Sequence, residues 1–315
     1  NQYKGLRKYS MRLCDSRASD LRQQSRQFAA VLPRSRLYAD KLNALTLYRK
    51  LCNKDILMFN IKDRLYIATF QNKAVETAAL YGVGLEYNHT CISESLDPEN
   101  RPLLLAEMRR DFEASGSARA LLHGPFTEIY PAAIDYRARQ MAKKRLNESF
   151  DVCRDLGVKN MVVHNGWLPF IYFKEWQSEN GALFWQDFMA DKPEDFSIYI
   201  ENVLEDEPYM MKDMMSRITD DRIKICLDTG HANAMTSEDI SVEKWIEVLS
   251  PYIGHFHLHN NYGDKDSHND FDSGSLDMTS VLTAIENCCP PNVTFTIEAF
   301  ECLSCMEWLF LRGYI

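Results

Sequence analysis

Two short motifs pair a carboxylate with an imidazole, Asp228-Thr229-Gly230-His231 and Asp266-Ser267-His268. Two glutamates each close an apolar run, in Ile200-Glu201-Asn202 and Ile297-Glu298-Ala299-Phe300. Carboxylate oxygens and imidazole nitrogens are ligands for divalent cations and also common general acids and bases. A carboxylate at the inward end of a buried strand is costly unless a cation or hydrogen-bond donors satisfy it. Any one such residue is ordinary, and an ion-pair network closing the end of the fold would use the same types. Several of them converging point to a metal or to a substrate-binding network.

The histidines show the same bias. All eight, His89, His123, His164, His231, His255, His257, His259 and His268, fall at or just after the carboxyl end of an apolar run, and none falls in an expected helix. In His255-Phe256-His257-Leu258-His259 a period of two puts the three imidazoles on one face and Phe256 and Leu258 on the other. An unpaired buried imidazole is expensive, so at least one of the three is expected to be a ligand or a substrate contact.

The elements that position these residues follow from hydrophobic periodicity. Eight short β-branched or apolar runs are expected as strands: Leu65–Phe70, Val83–Tyr87, Ala118–His123, Asn160–His164, Ser197–Glu201, Arg222–Asp228, Ile253–Asn260 and Thr294–Glu298. Between them the apolar spacing becomes three and four, giving helices over Tyr136–Leu156, Val242–Leu249 and Cys302–Arg312 among others. Alternation of this kind, with eight strands and no glycine in the first turn (Gln71-Asn72-Lys73), predicts an α/β protein built as one (β/α)8 or TIM barrel. A doubly wound open sheet usually has fewer strands and often a Gly-rich first turn. In a barrel the strands' carboxyl ends aim several side chains at one axial spot, which is where the chemistry-bearing residues lie.

Residues 1–57 stand outside the alternation. They hold 13 Lys/Arg against 4 Asp/Glu, which leaves 23 against 41 in 58–315, a net of −18 behind the overall −9. Ser35–Leu51 reads as an amphipathic helix, so a helical N-terminal extension is expected ahead of a barrel domain over 58–315. An upstream segment placed before a start at Met58 accounts for the same pattern equally well. So acidic a body is a poor partner for DNA or an anionic membrane, and pairing of copies through the basic segment is an expectation from charge alone. The sequence has no long apolar run and no signal-peptide pattern at its first residues. Nine cysteines without framework spacing, Cys302-Leu-Ser-Cys305 included, read as free thiols, and a reducing cytoplasmic setting is the expectation.

Over roughly residues 63–312 the strand endings resemble the xylose isomerase-like barrels, the superfamily of sugar-phosphate isomerases/epimerases and of endonuclease IV-like enzymes (AP endonuclease family 2). His123-Gly124-Pro125 looks like the His-x-Pro of strand three, His164-Asn165-Gly166 like the His-x-Gly of strand four, and Glu201 like the glutamate of strand five. Asp228-Thr-Gly-His231 matches the Asp-x-x-His of strand six, His257 the histidine of strand seven, Asp266-Ser-His268 the following Asp-x-His, and Glu298 the last glutamate. The resemblance implies a divalent metal (Mn, Mg, Co or Zn) on Glu201, Asp228, His257 and Glu298. It implies possible additional metal or substrate ligands in His123, His164, His231, Asp266 and His268, and the strand-seven face adds His259.

The chemistry so implied is first that of a metal-dependent sugar or sugar-phosphate isomerase/epimerase. A proton would be taken next to a carbonyl and the enediolate stabilised, with Glu201 and Glu298 as base and acid and His231 holding a substrate oxygen. His89, Trp167, Tyr262 and Lys265 are expected to shape the carbohydrate pocket. The alternative is an endonuclease IV-like zinc phosphodiesterase acting on abasic DNA, and a further one a cyclitol dehydratase or non-catalytic sugar binder. The acidic body and the Glu298-Ala-Phe300 ending favour the epimerases over the nucleases. The segment Asn261-Tyr262-Gly263 departs from the ketose epimerases, which carry an arginine there.

Overall fold

The computed structural model describes residues 59–237 and 239–315. Eight strands, β1 Leu65–Ala68, β2 Gly84–Tyr87, β3 Ala120–His123, β4 Asn160–His164, β5 Ser197–Glu201, β6 Ile223–Asp228, β7 Ile253–Leu258 and β8 Thr294–Ile297, run parallel and close in chain order. The described helices are α1 Ala74–Tyr81, α2 Arg101–Ser115, α3 Tyr136–Leu156, α4 Lys174–Met189, α5 Tyr209–Ser216, α6 Thr229–Met235, α7 Val242–Leu249, α8 Met278–Cys288 and α9 Cys302–Arg312. This is the expected (β/α)8 barrel, and every expected strand is present. Six are shorter than their apolar runs: β2, β3 and β6 begin later, and β1, β7 and β8 end earlier, where the chain leaves the ladder to turn over the mouth. Glu298 still donates its N–H to the Leu258 carbonyl, 3.1 Å away, one residue beyond β8. The expected Ser35–Leu51 helix and the boundary at residue 57 lie outside the described residues.

Helix ends follow local chemistry. Asp135 caps α3 by accepting from the Arg137 N–H, and Gly157, at φ 69°, stops it in a left-handed conformation that L side chains rarely adopt. Asp228 caps α6, its carboxylate accepting from the His231 N–H. His231 therefore sits in a short helix, against the expectation that no histidine falls in one. No described helix is long and apolar enough to cross a membrane. Cys302 and Cys305, at the start of α9, are buried free thiols, and burial raises both, Cys302 to about 11.

Strand parity divides the residues between two environments. Leu65, Ile67, Leu85, Ile198, Ile200, Ile225, Leu227, Phe256, Leu258, Phe295 and Ile297 are wholly buried in the core. On the other parity Tyr66, Leu121, Val162 and Cys226 pack together with Tyr199 as an apolar plug. Gly84 makes room for the plug, since a Cβ there would lie 2.3 Å from the Tyr66 ring. Above it the same parity continues as Glu86, His123, Glu201, Asp228 and His257, each at most 3% exposed.

One irregularity sets the site. Between β6 and β7, Ile225 pairs with Ile253 but Cys226 pairs with His255, so Gly254 is an extra residue in β7. A bulge of this kind breaks the period of two. It aligns His257 beside Asp228, where strict alternation from Ile253 would have turned the imidazoles away from the barrel axis. Phe256 is thereby committed to the opposite side, where it stacks on Phe295 at 5.7 Å. Replacing Phe256 by Ala should lower unfolding stability by about 3–5 kcal/mol in urea denaturation; a loss below about 1 kcal/mol would show that this packing does not hold β7.

Candidate metal centre

Four histidines at the mouth each have one ring nitrogen fixed by an acceptor, three of them through Nδ1. His123 Nδ1 lies 2.9 Å from the Gly124 carbonyl, His231 Nδ1 2.9 Å from the Asn202 carbonyl and His268 Nδ1 2.7 Å from the Glu298 carbonyl. A carbonyl only accepts, so each Nδ1 carries a proton, and Nε2 is the nitrogen that offers a lone pair once the imidazole is neutral. His257 is the reverse: its Nε2 faces the Glu86 carboxylate at 3.1 and 3.2 Å, which leaves the lone pair on Nδ1. Fixing one ring nitrogen to an acceptor so that the other is free to ligate is the usual support of a metal-binding histidine.

The free nitrogens face carboxylates. His257 Nδ1 stands 3.3 Å from Glu201 Oε1, 3.5 Å from Glu298 Oε1 and 3.7 Å from Asp228 Oδ2, yet makes no hydrogen bond. A lone pair surrounded by three acceptors is reconciled only by a cation or by an added proton. Atoms that ligate one ion at about 2.0–2.2 Å stand roughly 3.0–3.6 Å from each other, close to the spacing seen. Glu201, Asp228, His257 and Glu298 thus fit a divalent ion, and three oxygens with one nitrogen suit Mn²⁺, Mg²⁺ or Co²⁺ as well as Zn²⁺.

Two further donor groups adjoin this one. Glu201 turns its second oxygen, Oε2, to His123 Nε2 at 3.1 Å and His164 Nε2 at 3.3 Å. Asp266 Oδ2 lies 3.3 Å from His231 Nε2 and 3.0 Å from His268 Nε2. Asp266 and His268 reach the mouth because the β7 loop is tied at its base: Asn260 and Asn269 exchange backbone hydrogen bonds of 2.9 and 3.1 Å. His268 completes the turn at φ 48°. Each outer group has two nitrogens and one oxygen, a set that favours zinc more than the central one does.

The electrostatics agree with this. Burial pushes the Glu201 and Asp266 carboxyls upward, but the histidines around them outweigh it and hold both well below the usual carboxylate range. Burial dominates at Glu298, whose carboxyl is raised. Burial also opposes the cationic form of His268, yet Asp266 and Glu298 carry it up to about 9. Protons therefore occupy a negative cluster where a metal would sit, and metal uptake, which needs the nitrogen lone pairs, should release them and strengthen as pH rises.

The other expected site residues are placed differently. His259 lies outside the donor groups and hydrogen-bonds Asp228, with Nε2 3.0 Å from Oδ1, while its ring stacks on His268 at 4.1 Å. His255 lies deeper, between Thr294 and Thr296 at 2.7 and 2.9 Å. His89 stands at the rim, 3.5 Å from the Thr69 hydroxyl. Trp167 is buried under its own loop, donating to the Tyr172 carbonyl at 3.0 Å, with Lys174 over its ring. Tyr262 and Lys265 are exposed on the β7 loop. Glu86, wholly buried beneath the centre, is absent from the expected set. Its signal in the sequence is a lone acid inside the apolar run Val83–Tyr87, on the parity that faces the axis.

A family model, the xylose isomerase-like TIM barrel, matches residues 73–301. The chain belongs to that family. Among curated relatives an uncharacterised protein of Methanocaldococcus jannaschii is 26% identical over 202 residues, 61% of this chain and 66% of that protein. A probable endonuclease 4 of Mycobacterium leprae is 26% identical over 187 residues, 56% of this chain and 72% of the relative. The match thus spans about two thirds of the relatives' length. The crystal structure of a D-tagatose 3-epimerase-like protein superposes with a TM-score of 0.62 at 19% identity, covering 80% of this chain and 96% of the other. Sugar 3-epimerases recur among the structural neighbours, at identities that speak for the fold alone.

Gly230 tests the support of the centre. A Cβ there would fall 1.9 Å from His259 Cε1, so Gly230→Ala must displace the imidazole that orients Asp228. The variant should keep its far-UV circular dichroism and bind divalent metal about tenfold or more weakly in chelator competition. Unchanged affinity would remove His259 from that supporting role.

Proposed function

We propose that this chain is a metal-dependent isomerase or epimerase of sugars or sugar phosphates. The observation that carries the reading is the meeting of Glu201 and Glu298, from the ends of β5 and β8, which stand three strands apart in the barrel, at His257 Nδ1, 3.3 and 3.5 Å from it. A divalent ion bound there would polarise a substrate carbonyl and its neighbouring hydroxyl and lower the cost of negative charge on oxygen. Glu201 is the base that takes the proton from the carbon beside the carbonyl, and Glu298 is the acid that returns one from the other side. Carboxylates facing each other across one carbon are what inversion needs. His231 Nε2 would leave Asp266 to hold a substrate oxygen. Tyr262 and Lys265 line the approach from the β7 loop, His89 from the far rim, and Trp167 stiffens the wall after β4. The acidity of residues 58–315 and the fold shared with sugar 3-epimerases support a small carbohydrate substrate over a nucleic acid.

A second reading, an endonuclease IV-like phosphodiesterase, is favoured by the two outer donor groups, which share or adjoin Glu201 and Asp266 as a three-ion centre would. In it His123, His164, His231, Asp266 and His268 are ligands. The resemblance to endonuclease 4 relatives supports the same reading.

Proton exchange distinguishes them. The metal-loaded protein should move a substrate C–H proton into deuterated water, followed by NMR over a panel of ketoses and their phosphates. Glu298→Gln should slow that exchange by about a hundredfold or more; near-normal exchange in the variant would remove the two glutamates from the chemistry. Metal analysis gives an independent test. If one ion suffices, His268→Ala should retain the wild-type metal content and most of its turnover. Loss of one zinc out of three on that substitution, with salt-sensitive cleavage of abasic DNA by the wild type, would carry the phosphodiesterase instead.

A further inference from the structure

Glu86 takes no part in the chemistry above, yet it is wholly buried beneath the centre and linked to four other side chains in series. Both of its oxygens face His257 Nε2, at 3.1 and 3.2 Å. The Thr296 hydroxyl donates to one of them. His255 Nε2 lies 2.9 Å from that same hydroxyl and 3.4 Å from Glu86, and its Nδ1 is 2.7 Å from the Thr294 hydroxyl. The series Thr294, His255, Thr296, Glu86 and His257 crosses the barrel from β8 and β7 to β2 and ends on the one nitrogen-bearing member of the central donor set.

His257 differs from its neighbours in what anchors it. His123, His231 and His268 are held by neutral main-chain carbonyls, whereas the anchor of His257 is an anion. A carboxylate on the far nitrogen fixes the tautomer, orients the ring and raises its donor strength, which a carbonyl does less well. Burying a carboxylate with no Lys or Arg beside it is costly, and the apolar plug immediately below would be better packed by an apolar residue. The cost is accounted for if the anion serves the centre.

We infer that Glu86 is a positioning residue that tunes the central metal site through His257, setting its affinity and its preference among divalent ions. The inference rests on the metal reading of that site but not on which reaction it performs. Full-length protein is titrated with Mn²⁺ and with Zn²⁺ against a chelating dye, and the Co²⁺-substituted form is followed by its visible spectrum. Glu86→Gln keeps the shape and an acceptor for Nε2–H but removes the charge. It should weaken metal binding by about 10–100-fold while leaving the Co²⁺ band intensity, and hence the number of ligands, unchanged. Wild-type affinity in Glu86→Gln would overturn the inference. So would a Co²⁺ spectrum altered as by loss of a ligand, since Glu86 also lies within reach of His123, His257 and Glu298 as a direct donor. Asp228→Asn separates the two levels: if it too binds as the wild type does, the metal site itself is wrong. Should Glu86→Gln not fold, Thr296→Val carries the test. It frees one oxygen of Glu86 without removing its charge and should weaken binding several-fold; unchanged affinity would overturn the inference.

Discussion

Four carboxylates, Glu86, Glu201, Asp228 and Glu298, are buried at the heart of the barrel, and among the described residues their ionic partners are imidazoles, with no Lys or Arg beside them. That choice governs everything above the apolar plug. A guanidinium or an ammonium would neutralise such a cluster permanently, whereas an imidazole can neutralise it as a cation or surrender its proton and ligate. The cluster is thus stable with protons in place, and a divalent ion that replaced them would do so at a cost set by the pKa values of a few histidines.

The barrel makes this arrangement possible by assigning the two strand faces to different tasks. The residues packed between strands and helices are mostly apolar and form the main core. The axial face is therefore free to hold a dense set of ionisable groups. Backbone carbonyls at the strand ends then do a second duty, as acceptors that fix the tautomers of His123, His231 and His268. The same loop geometry that closes each β/α unit orients these imidazoles.

This organisation also explains why the family supports more than one chemistry. The central set needs only the ends of β5 to β8, while the outer sets add residues from β3, β4, α6 and the β7 loop. Holding one ion or several is then a matter of loop placement and of the charge on each anchor, with the scaffold unchanged. The acidic exterior bears on what can approach, and the centre on what happens to it.

Much of this was legible in the sequence. The eight apolar runs and the period shifts between them determine the barrel, because strand and helix periodicities are local properties of the chain. The strand-end motifs, through the family resemblance they carry, point to Glu201, Asp228, His257 and Glu298, which the fold brings together. What the tertiary structure decided are relations across the barrel. The bulge at Gly254 aligns His257 with Asp228, a register that depends on β6 and is invisible in β7 alone. His259 supports Asp228 instead of joining a donor group, because a helix begins at Asp228 and packs Gly230 against its ring. Glu86 and His257 are 171 residues apart in the chain. Their contact exists only because closure of the sheet brings β2 across the axis to β7, and no local pattern encodes which side chains meet there.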